Sequence, residues 1–239
     1  MFTWPKLVKK PRAKNVLILA PHIDDEIIGC GGVICKHVQN GDRVIVVYFT
    51  CGDKGNKDFS RDENLAKIRR AEAEISNNIL GVKQAYFFDF EDGTKEDWSC
   101  VKDEMKEIYL KVCPDLVYLP PYYDLHLDHR KTNWLFQEAT ESIDVCDLCV
   151  YEVWTPINPN IIINITEEME QKIRAIRACQ TQVDSVDYEA FIKNLNAYRS
   201  SFALSSFVKY AECFYMLSAK EYFSKFTKRE FDWHTANRK

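Results

Sequence analysis

Long apolar segments are absent from this sequence, and so is any strong excess of charge of one sign. The 239 residues include 32 Lys and Arg and 36 Asp and Glu, which gives a formal net charge of −4. No apolar run approaches the roughly 18 residues that a membrane-spanning helix requires. A slightly acidic chain also lacks the general attraction to nucleic acid that a basic chain has. We therefore predict neither an integral membrane segment nor a nucleic-acid partner.

Signals for export are equally scarce. The basic start, MFTWPKLVKKPRAK, lacks the apolar core of a secretory signal peptide. The nine cysteines have no regular spacing, and without an export signal they are most simply reduced thiols. Cys146 and Cys149 form a C-x-x-C in a predicted strand, where residues three apart face opposite sides and do not share a metal. These features predict a cytoplasmic protein.

The chain also has no linker, repeat or low-complexity segment. Its composition of 46% hydrophobic and 28% charged residues is typical of a soluble globular protein. The length suits one large α/β domain or two small ones. Because nothing in the sequence marks a boundary, we predict one domain over residues 1–239, with its last third elaborating the substrate side.

Apolar runs of strand length alternate with helical patterns along the first two thirds of the chain. NVLILA (Asn15–Ala20) and RVIVVYFT (Arg43–Thr50) are typical of strands buried on both faces. Predicted strands occupy residues 15–20, 43–50, 84–90, 115–120, 148–155, 161–166 and 212–217, and predicted helices residues 31–41, 63–81, 98–112, 129–143, 167–183 and 188–203. This order predicts an α/β fold with a mainly parallel central sheet and helices on both faces.

The most unusual stretch chemically is LAPHIDDEIIGCGG, residues 19–32. It places His22, Asp24, Asp25 and Glu26 directly after the first predicted strand. Burial of such groups is costly unless they are paired or bind a metal. Ligands of open parallel sheets bind at the carboxyl ends of the strands. The stretch is therefore either an exposed turn or part of a site.

A second polar cluster, YYDLHLDHR (residues 122–130), follows the fourth predicted strand and lies at the same edge of the sheet. The two clusters hold three of the five histidines, His22, His126 and His129. A catalytic zinc typically has three ligands drawn from His, Asp, Glu or Cys and leaves a position for water. Such a site also needs a general base and a donor for the oxyanion or leaving group. The clusters contain these residue types, but spacing alone does not assign their roles.

Each part of the two clusters also has a purely structural interpretation. The acidic residues of the first cluster can be first-turn carboxylates on a helix dipole, and Asp128 can be the N-cap of the next helix. His126 and His129 can be hydrogen-bond donors of a loop. The stretch GCGG resembles a phosphate-binding loop, but it departs from G-x-G-x-x-G and has no P-loop lysine. Close packing of helix on sheet explains these glycines better, and Cys30 is more simply a packing residue than a ligand.

Together the clusters resemble the signatures of the LmbE-like, PIG-L-type zinc-dependent de-N-acetylase family. PHIDDEIIGCGG matches P-H-x-D-D-E followed by a glycine-rich helix start, and HLDH matches H-x-D-H. Weaker shared features are an R-x-x-E helix with Arg69 and Glu72, the pair Asp92-Gly93, and a YAE-x-F element at residues 210–214. The resemblance extends from residue 15 to residue 214 and implies a Rossmann-like three-layer sandwich.

The resemblance also implies a metal site. His22, Asp25 and His129 would hold one zinc ion, and two histidines with one carboxylate can also hold ferrous iron. Ile23 and Leu127 stand where the family often has proline. Neither position supplies chemistry, so we expect little effect on catalysis.

The remaining residues of the signatures would carry the catalytic roles. By resemblance, Asp24 would be the general base that takes a proton from the attacking water. His126 would stabilise the oxyanion and protonate the leaving amine. Asp128 would hold one of the metal-binding histidines, a common arrangement at zinc sites.

Three further residues are predicted to bind substrate. Arg69 resembles the family's substrate- or acetate-binding arginine. Tyr122, with Tyr123, either packs on a sugar ring or belongs to the rim of a Pro-Pro turn. Asp53 follows the second strand and either bonds sugar hydroxyls or is an ordinary turn residue.

The function that the resemblance implies is removal of an N-acetyl group from a small-molecule sugar of the N-acetylglucosamine type, with release of acetate. The same residue types serve an amidase that cleaves a larger amide on a sugar-linked thiol conjugate, and acyl choice depends on loop shape. A non-enzymatic nucleotide-binding module that uses the glycine-rich turn is a further alternative, as is a non-catalytic metal or sugar binder. We expect the deacetylase. The oligomeric state stays open, including a homo-oligomer.

Overall fold

The computed structural model describes residues 4–55, 60–183 and 186–225, and this part of the chain contains one sheet of eight strands. The strands are β1 (Lys6–Val8), β2 (Asn15–Ala20), β3 (Arg43–Thr50), β4 (Gln84–Phe90), β5 (Leu116–Leu119), β6 (Asp147–Val150), β7 (Ile161–Asn164) and β8 (Ala211–Leu217). Their order is β1-β7-β8-β6-β5-β2-β3-β4. Neighbours are parallel except where β8 pairs with β6 and β7. The mainly parallel sheet predicted from the sequence is confirmed.

Helices cover both faces of the sheet. They are α1 (Asp25–Gln39), α2 (Glu63–Leu80), α3 (Lys102–Val112), α4 (Leu127–Thr140), α5 (Met169–Ala178), α6 (Gln180–Val183), α7 (Tyr188–Ser200) and α8 (Ala219–Phe223). Val16 and Ile18 of β2 belong to a core shared with α1, α2, α5 and α7, while Leu17 and Leu19 belong to a core shared with α3, α4 and α8. This alternation of strand side chains produces the predicted three layers.

Several elements differ from the sequence-based prediction, among them the strand predicted over residues 148–155, which ends at Val150, and α8, which was not predicted. Helix α1 begins at Asp25 rather than at the glycines, so its first turn carries Asp25 and Glu26. The helix predicted over residues 167–183 is divided because Cys179 has a ψ of 58°, outside the helical range. Strand β1 was not predicted, since its three residues are mostly exposed. Over the described ranges, no helix has both the length and the apolar character that crossing a membrane demands.

The pairing of β2 with β5 in the middle of the sheet positions the two motifs. These strands are parallel, with Ile18 opposite Tyr118. On its other side, β2 pairs with β3, so the strand order changes direction at β2. Open α/β sheets bind ligands at such a switch point, outside the carboxyl ends of the strands. Because the motifs directly follow β2 and β5, both lie at this crevice.

Candidate active site

The two motifs meet where α1 and α4 begin. His22 and Asp24 lie between β2 and α1, and Asp25 is the first residue of α1. His126 is the N-cap of α4, and His129 lies in its first turn. The residues predicted from the sequence to bind metal and to catalyse are therefore brought together at one edge of the sheet.

Asp25 lies between the two histidines that were predicted as its fellow ligands. Its Oδ2 is 3.0 Å from Nδ1 of His22 and 3.1 Å from Nε2 of His129. Burial alone raises the pKa of Asp25, but the neighbouring His129 and His22 hold it well below its usual range. Two ring nitrogens and one carboxylate oxygen thus converge on a single point.

Buried polar atoms without well-aligned hydrogen bonds indicate that this point suits a cation. His129 is fully buried, and its ring nitrogens form no well-aligned hydrogen bond with the described residues, although Nε2 lies 3.1 Å from Oδ2 of Asp25. Leaving a buried donor or acceptor unsatisfied is costly. The ligand atoms of His22, His126 and His129 also lie within 4.8 Å of one another, which gives a second possible donor set. Imidazole nitrogens and carboxylate oxygens, the donors of these two sets, are among the ligands that zinc takes in proteins.

Two carboxylates support the histidines from behind. Oδ2 of Asp128 accepts hydrogen bonds from Nε2 of His22 at 3.3 Å and from the N–H of Gly93 at 2.8 Å. Oδ2 of Asp124, which was not singled out from the sequence, faces Nδ1 of His129 at 3.6 Å. Carboxylates in such positions orient metal-binding histidines and fix the tautomer of the ring.

The purely structural interpretation of Asp128 is wrong. The N-cap of α4 is His126, whose Nδ1 accepts the N–H of Asp128. The Asp128 carboxylate is therefore not engaged in capping the helix. It is fully buried and turns instead toward His22.

Asp24 has an unusual backbone conformation, and its side chain does not cap the helix that follows. Its φ of 120° lies in a region that residues other than glycine rarely adopt. Such strain persists where the surroundings hold it, often at functional sites. Although Asp24 precedes α1, its side chain makes no capping hydrogen bond and lines the crevice. Burial and the adjacent Asp25 raise the pKa of Asp24 well above its usual value, as suits a general base.

Glu26 holds the backbone of Asp24 in place. Its Oε2 accepts the N–H of Asp24 at 3.1 Å, and its Oε1 accepts the hydroxyl of Tyr48 at 2.8 Å. Burial raises the pKa of Glu26 to about 7. Sequence analysis gave Glu26 no role beyond that of a first-turn carboxylate. Its position in P-H-x-D-D-E was the available signal, but spacing does not reveal a hydrogen bond to a strained peptide.

The hydrogen bonding of His126 fixes its tautomer. Because Nδ1 accepts the backbone N–H of Asp128 at 3.2 Å, the proton of the neutral ring resides on Nε2. Burial, together with His22 and His129, lowers the pKa of His126 to about 4, so the ring is neutral near pH 7. The ring lines the crevice. His126 can therefore offer one N–H there, from Nε2.

Arg69 lies across a turn that depends on glycine. Gly52 has a φ of 74°, and a Cβ at this position would collide with the Arg69 side chain. The N–H of Gly52 donates to Oδ1 of Asp92 at 3.0 Å, while Oδ2 of Asp92 lies 4.0 Å from Nη1 of Arg69. Nε of Arg69 is buried and bonds to none of the described residues. A guanidinium with an unused donor is well suited to a carboxylate such as acetate.

These side chains surround a cavity of about 580 Å³, a size typical of small-molecule sites. It is lined by His22, Asp24, Asp25, Lys54, Gly55, Arg69, Asp92, Gly93, His126, Trp154, Gln182 and Tyr188. A larger cavity of about 680 Å³ is lined by Lys10 and Lys36 among others, and it contains no residue of either motif. Both lysines are already paired with carboxylates. The smaller cavity is therefore the candidate active site.

Two residues predicted to bind substrate do not line this cavity. Tyr122 lines a separate cavity of about 210 Å³, where its ring centroid lies 5.1 Å from that of Tyr123 and 5.6 Å from that of Tyr222. Asp53 is buried, and its carboxylate accepts the N–H of Asp92 at 3.0 Å. Asp53 thus holds the loop of Asp92, and the geometry does not support direct contact of either residue with a sugar.

Besides Gly55, four lining residues were missed by sequence analysis: Lys54, Trp154, Gln182 and Tyr188. Lys54 follows β3, and Trp154 follows β6. Gln182 and Tyr188 come from α6 and α7. The first two follow the carboxyl ends of strands, which was a usable signal. The other two belong to the last third of the chain, where no motif marks them.

The family model described as PIG-L, GlcNAc-PI de-N-acetylase, matches residues 17–140, which is more than half of the 239 residues. The chain belongs to the PIG-L family. The matched segment contains both motifs and Arg69. The resemblance identified from the sequence is therefore confirmed. Three residues that line the cavity, Trp154, Gln182 and Tyr188, lie beyond the matched segment.

Relatives of this PIG-L family member are similar over most of the chain. A diacetylchitobiose deacetylase from Thermococcus kodakarensis is 30% identical over 217 residues, covering 83% of this chain and 81% of that protein. A probable N-acetyl-alpha-D-glucosaminyl L-malate deacetylase 2 from Bacillus cereus is 26% identical, covering 77% and 91%. The structure of an N,N'-diacetylchitobiose deacetylase from Pyrococcus horikoshii in complex with its inhibitor MPG is 31% identical, with a TM-score of 0.77 and coverage of 91% and 89%.

Proposed function

We propose that this protein is a metal-dependent amide hydrolase that removes the acetyl group from an N-acetylglucosamine-type sugar and releases acetate. The observation that carries the proposal is that two adjacent acidic residues, Asp24 and Asp25, are placed for different tasks. Oδ2 of Asp25 lies within 3.1 Å of ring nitrogens of His22 and His129, whereas Asp24 lines the cavity without capping the helix. One carboxylate is placed to bind a metal, and the next is left available as a base.

His22, Asp25 and His129 would hold the metal, with zinc as the first choice and ferrous iron as the second. When bound, such an ion supplies a Lewis acid and lowers the pKa of water toward neutrality. The ring nitrogens of buried His129 support this assignment, because they form no well-aligned hydrogen bond with the described residues. We leave His126 outside the ligand set. Its Nδ1 accepts the N–H of Asp128, so its Nε2 carries the proton of the neutral ring and has no lone pair for a metal.

The other side chains perform the proton transfers and stabilise the negatively charged oxygens. Asp24 takes a proton from the water that attacks the amide carbonyl carbon, and its raised pKa favours this step. Nε2–H of His126 donates to the carbonyl oxygen as that oxygen becomes negative. Because the pKa of His126 is about 4, we assign return of the proton to the departing nitrogen to Asp24 rather than to His126. Arg69 then binds the acetate.

The sugar specificity in this proposal derives from the family and the relatives. The family description names a GlcNAc derivative, and the two curated relatives are named for deacetylation of diacetylchitobiose and of an N-acetylglucosaminyl malate. The cavity offers acidic and basic side chains suited to sugar hydroxyls, among them Asp92 and Lys54. The predicted cytoplasmic location belongs to the same proposal.

The nucleotide-binding alternative has less support. The glycines on which it depended lie inside α1 rather than in a loop, with Gly29 against the ring of Tyr151 and Gly32 against Ile165. A Cβ at either glycine would collide with these neighbours. The glycines therefore allow close packing and do not form a phosphate cradle.

The proposal is tested by acetate release from a panel of N-acetylglucosaminides that differ in aglycone, together with matched compounds that carry larger acyl groups. Zinc-loaded protein is compared with protein treated with a chelator and then reloaded. We expect acetate release that is lost with the metal and restored with it. Cleavage of the larger acyl groups alone would favour the amidase, and no cleavage by protein with confirmed zinc content would contradict the proposed substrate class.

A further inference from the structure

Trp154 is a large aromatic side chain that the fold leaves uncovered within the candidate active site. It lines the same cavity as His22 and Asp24, and 41% of its surface is exposed. Its indole N–H forms no hydrogen bond with the described residues, and its ring lies beside those of Tyr188 and Phe191, at centroid distances of 6.3 and 5.9 Å. An apolar ring exposed in a pocket is a typical contact for a ligand.

The loop that carries Trp154 is held by buried contacts at its base. Glu152 and Arg199 are almost completely buried and form a two-armed ion pair, with Nε of Arg199 2.6 Å from Oε1 of Glu152. Nη2 of Arg199 also donates to the carbonyl of Ile157, whose own N–H donates to Glu152. A buried bidentate pair of this kind fixes geometry. The loop is therefore preorganised although Trp154 itself is exposed.

Two other contacts join this loop to the catalytic segments. The hydroxyl of Tyr151 donates to the carbonyl of Leu19, at the end of β2, at 2.8 Å. The N–H of Leu125, next to His126, donates to Oγ1 of Thr155 at 2.9 Å. The loop is thus fixed relative to both motifs, so a ligand that contacts Trp154 is placed at a set position relative to the reacting group.

The charges around the cavity favour a neutral partner for Trp154. Nζ of Lys54 lies 2.5 Å from Glu91, and Arg69 faces Asp92. Of the two lysine and arginine side chains that line the described cavity, Lys54 is therefore already paired, and Arg69 is assigned to the released acetate. The unengaged surface is the face and N–H of an indole. A pyranose ring presents an apolar C–H face that can be buried on such a ring and hydroxyls that can accept the N–H.

We propose that Trp154 is a specificity-determining residue that stacks against a second sugar ring, the one linked to the N-acetylated sugar that reacts. This inference rests on the proposed deacetylase function and names its substrate class as an N-acetylated disaccharide or longer glycan. A cavity of about 580 Å³ accommodates drug-sized ligands, which are larger than one sugar. Trp154 contacts the neighbouring ring and takes no part in the bond-breaking step.

The kinetic test compares N-acetylglucosamine with its β-1,4-linked dimer for the wild type, Trp154→Ala and Trp154→Phe. We expect Trp154→Ala to raise the KM for the dimer by about tenfold, the effect of losing one stacked apolar face. The KM for the monomer and the kcat for both compounds should change little, and Trp154→Phe should retain most of the affinity for the dimer. Equal effects on monomer and dimer, no effect, or a wild-type preference for an acidic aglycone would overturn the inference.

A binding measurement separates this inference from the proposed function. Metal-free protein is titrated with the dimer while tryptophan fluorescence is recorded. The matched control is Trp4→Phe, since Trp4 is exposed to 49% but lies outside the cavity. A change that is present in the wild type and in Trp4→Phe but lost in Trp154→Phe supports the stacking role even if no acetate is released. A change that persists in Trp154→Phe, or that is absent from the wild type, contradicts it.

Discussion

Nε2 of His22 lies 3.3 Å from Oδ2 of Asp128, although the two residues are 106 positions apart in the chain. The contact joins the first motif to the second across the ends of β2 and β5. It leaves Nδ1 of His22 facing Asp25 at 3.0 Å. Asp128 also accepts the N–H of Gly93, so a single buried carboxylate connects three segments of the site. We infer that Asp128 sets the orientation of His22.

Asp128→Asn is expected to weaken zinc binding by about 10- to 100-fold, the usual effect of losing a carboxylate behind a metal-binding histidine. The amide preserves the shape of the side chain but removes the charge that holds His22. Zinc affinity measured by competition with a chromogenic chelator checks this. A matched control is Asp115→Asn, whose carboxylate accepts the N–H groups of Lys14 and Asn15 at the other end of β2. Equal zinc affinity in the two variants would contradict the assigned role.

Asp24→Asn is expected to retain zinc and to lower kcat by about 10²- to 10⁴-fold, the contribution of a general base. Asparagine tolerates a positive φ better than most residues, so the backbone at φ 120° is preserved. Metal content and acetate release are measured on the same samples. Asp89→Asn is the control, because Asp89 is also an aspartate with a positive φ but pairs with Arg70 at the surface. Loss of zinc from Asp24→Asn would show that Asp24 is a ligand.

The sequence predicted the elements and the meeting of the two motifs because both depend on local signals. Continuous apolar runs identified β2 and β5, and parallel strands expose their carboxyl ends at the same edge. The orientation of Tyr122 was not predictable in this way, since it depends on the packing of Tyr222 from the far end of the chain. Trp154 was missed because the predicted strand extended to residue 155, whereas β6 ends at Val150 and a loop held by the contact between Glu152 and Arg199 follows it. Contacts between distant segments leave no spacing pattern in a single sequence.

Glu212→Gln is expected to lower the free energy of unfolding by about 3–5 kcal/mol, the typical cost of leaving a buried charge without its partner. Lys172 and Glu212 are fully buried, with Nζ and Oε1 2.7 Å apart. Both Glu212 oxygens also accept backbone N–H groups of α1, from Gly32 and Val33. Chemical denaturation followed by circular dichroism measures the change.

The control for this variant is Glu189→Gln. Glu189 pairs with Arg177 at 2.7 Å, but the arginine side chain is 55% exposed. Exposed pairs contribute about 0–1 kcal/mol, so the control should unfold at nearly the wild-type denaturant concentration. Similar losses of unfolding free energy in the two variants would indicate that the buried Lys172–Glu212 pair stabilises the fold no more than an exposed pair does.

His37 should contribute a loss of stability as the pH falls below about 6.5, the pKa of an unperturbed histidine. His37 is buried between Asp42, at 2.8 Å, and the hydroxyl of Tyr118, at 3.0 Å. Burial and nearby Lys10 lower the pKa of His37 in spite of Asp42. The unfolded chain therefore takes up a proton at a higher pH than the folded chain does, and acid favours unfolding.

The measurement is the free energy of unfolding between pH 5 and 8 for the wild type and His37→Gln. Below pH 6.5 the free energy of unfolding of the wild type should decrease relative to that of His37→Gln, by at most about 1.4 kcal/mol per pH unit, the limit for one proton. The site histidines titrate in both proteins, so the difference in slope isolates His37. Identical slopes would mean that its protonation is the same in the folded and unfolded states.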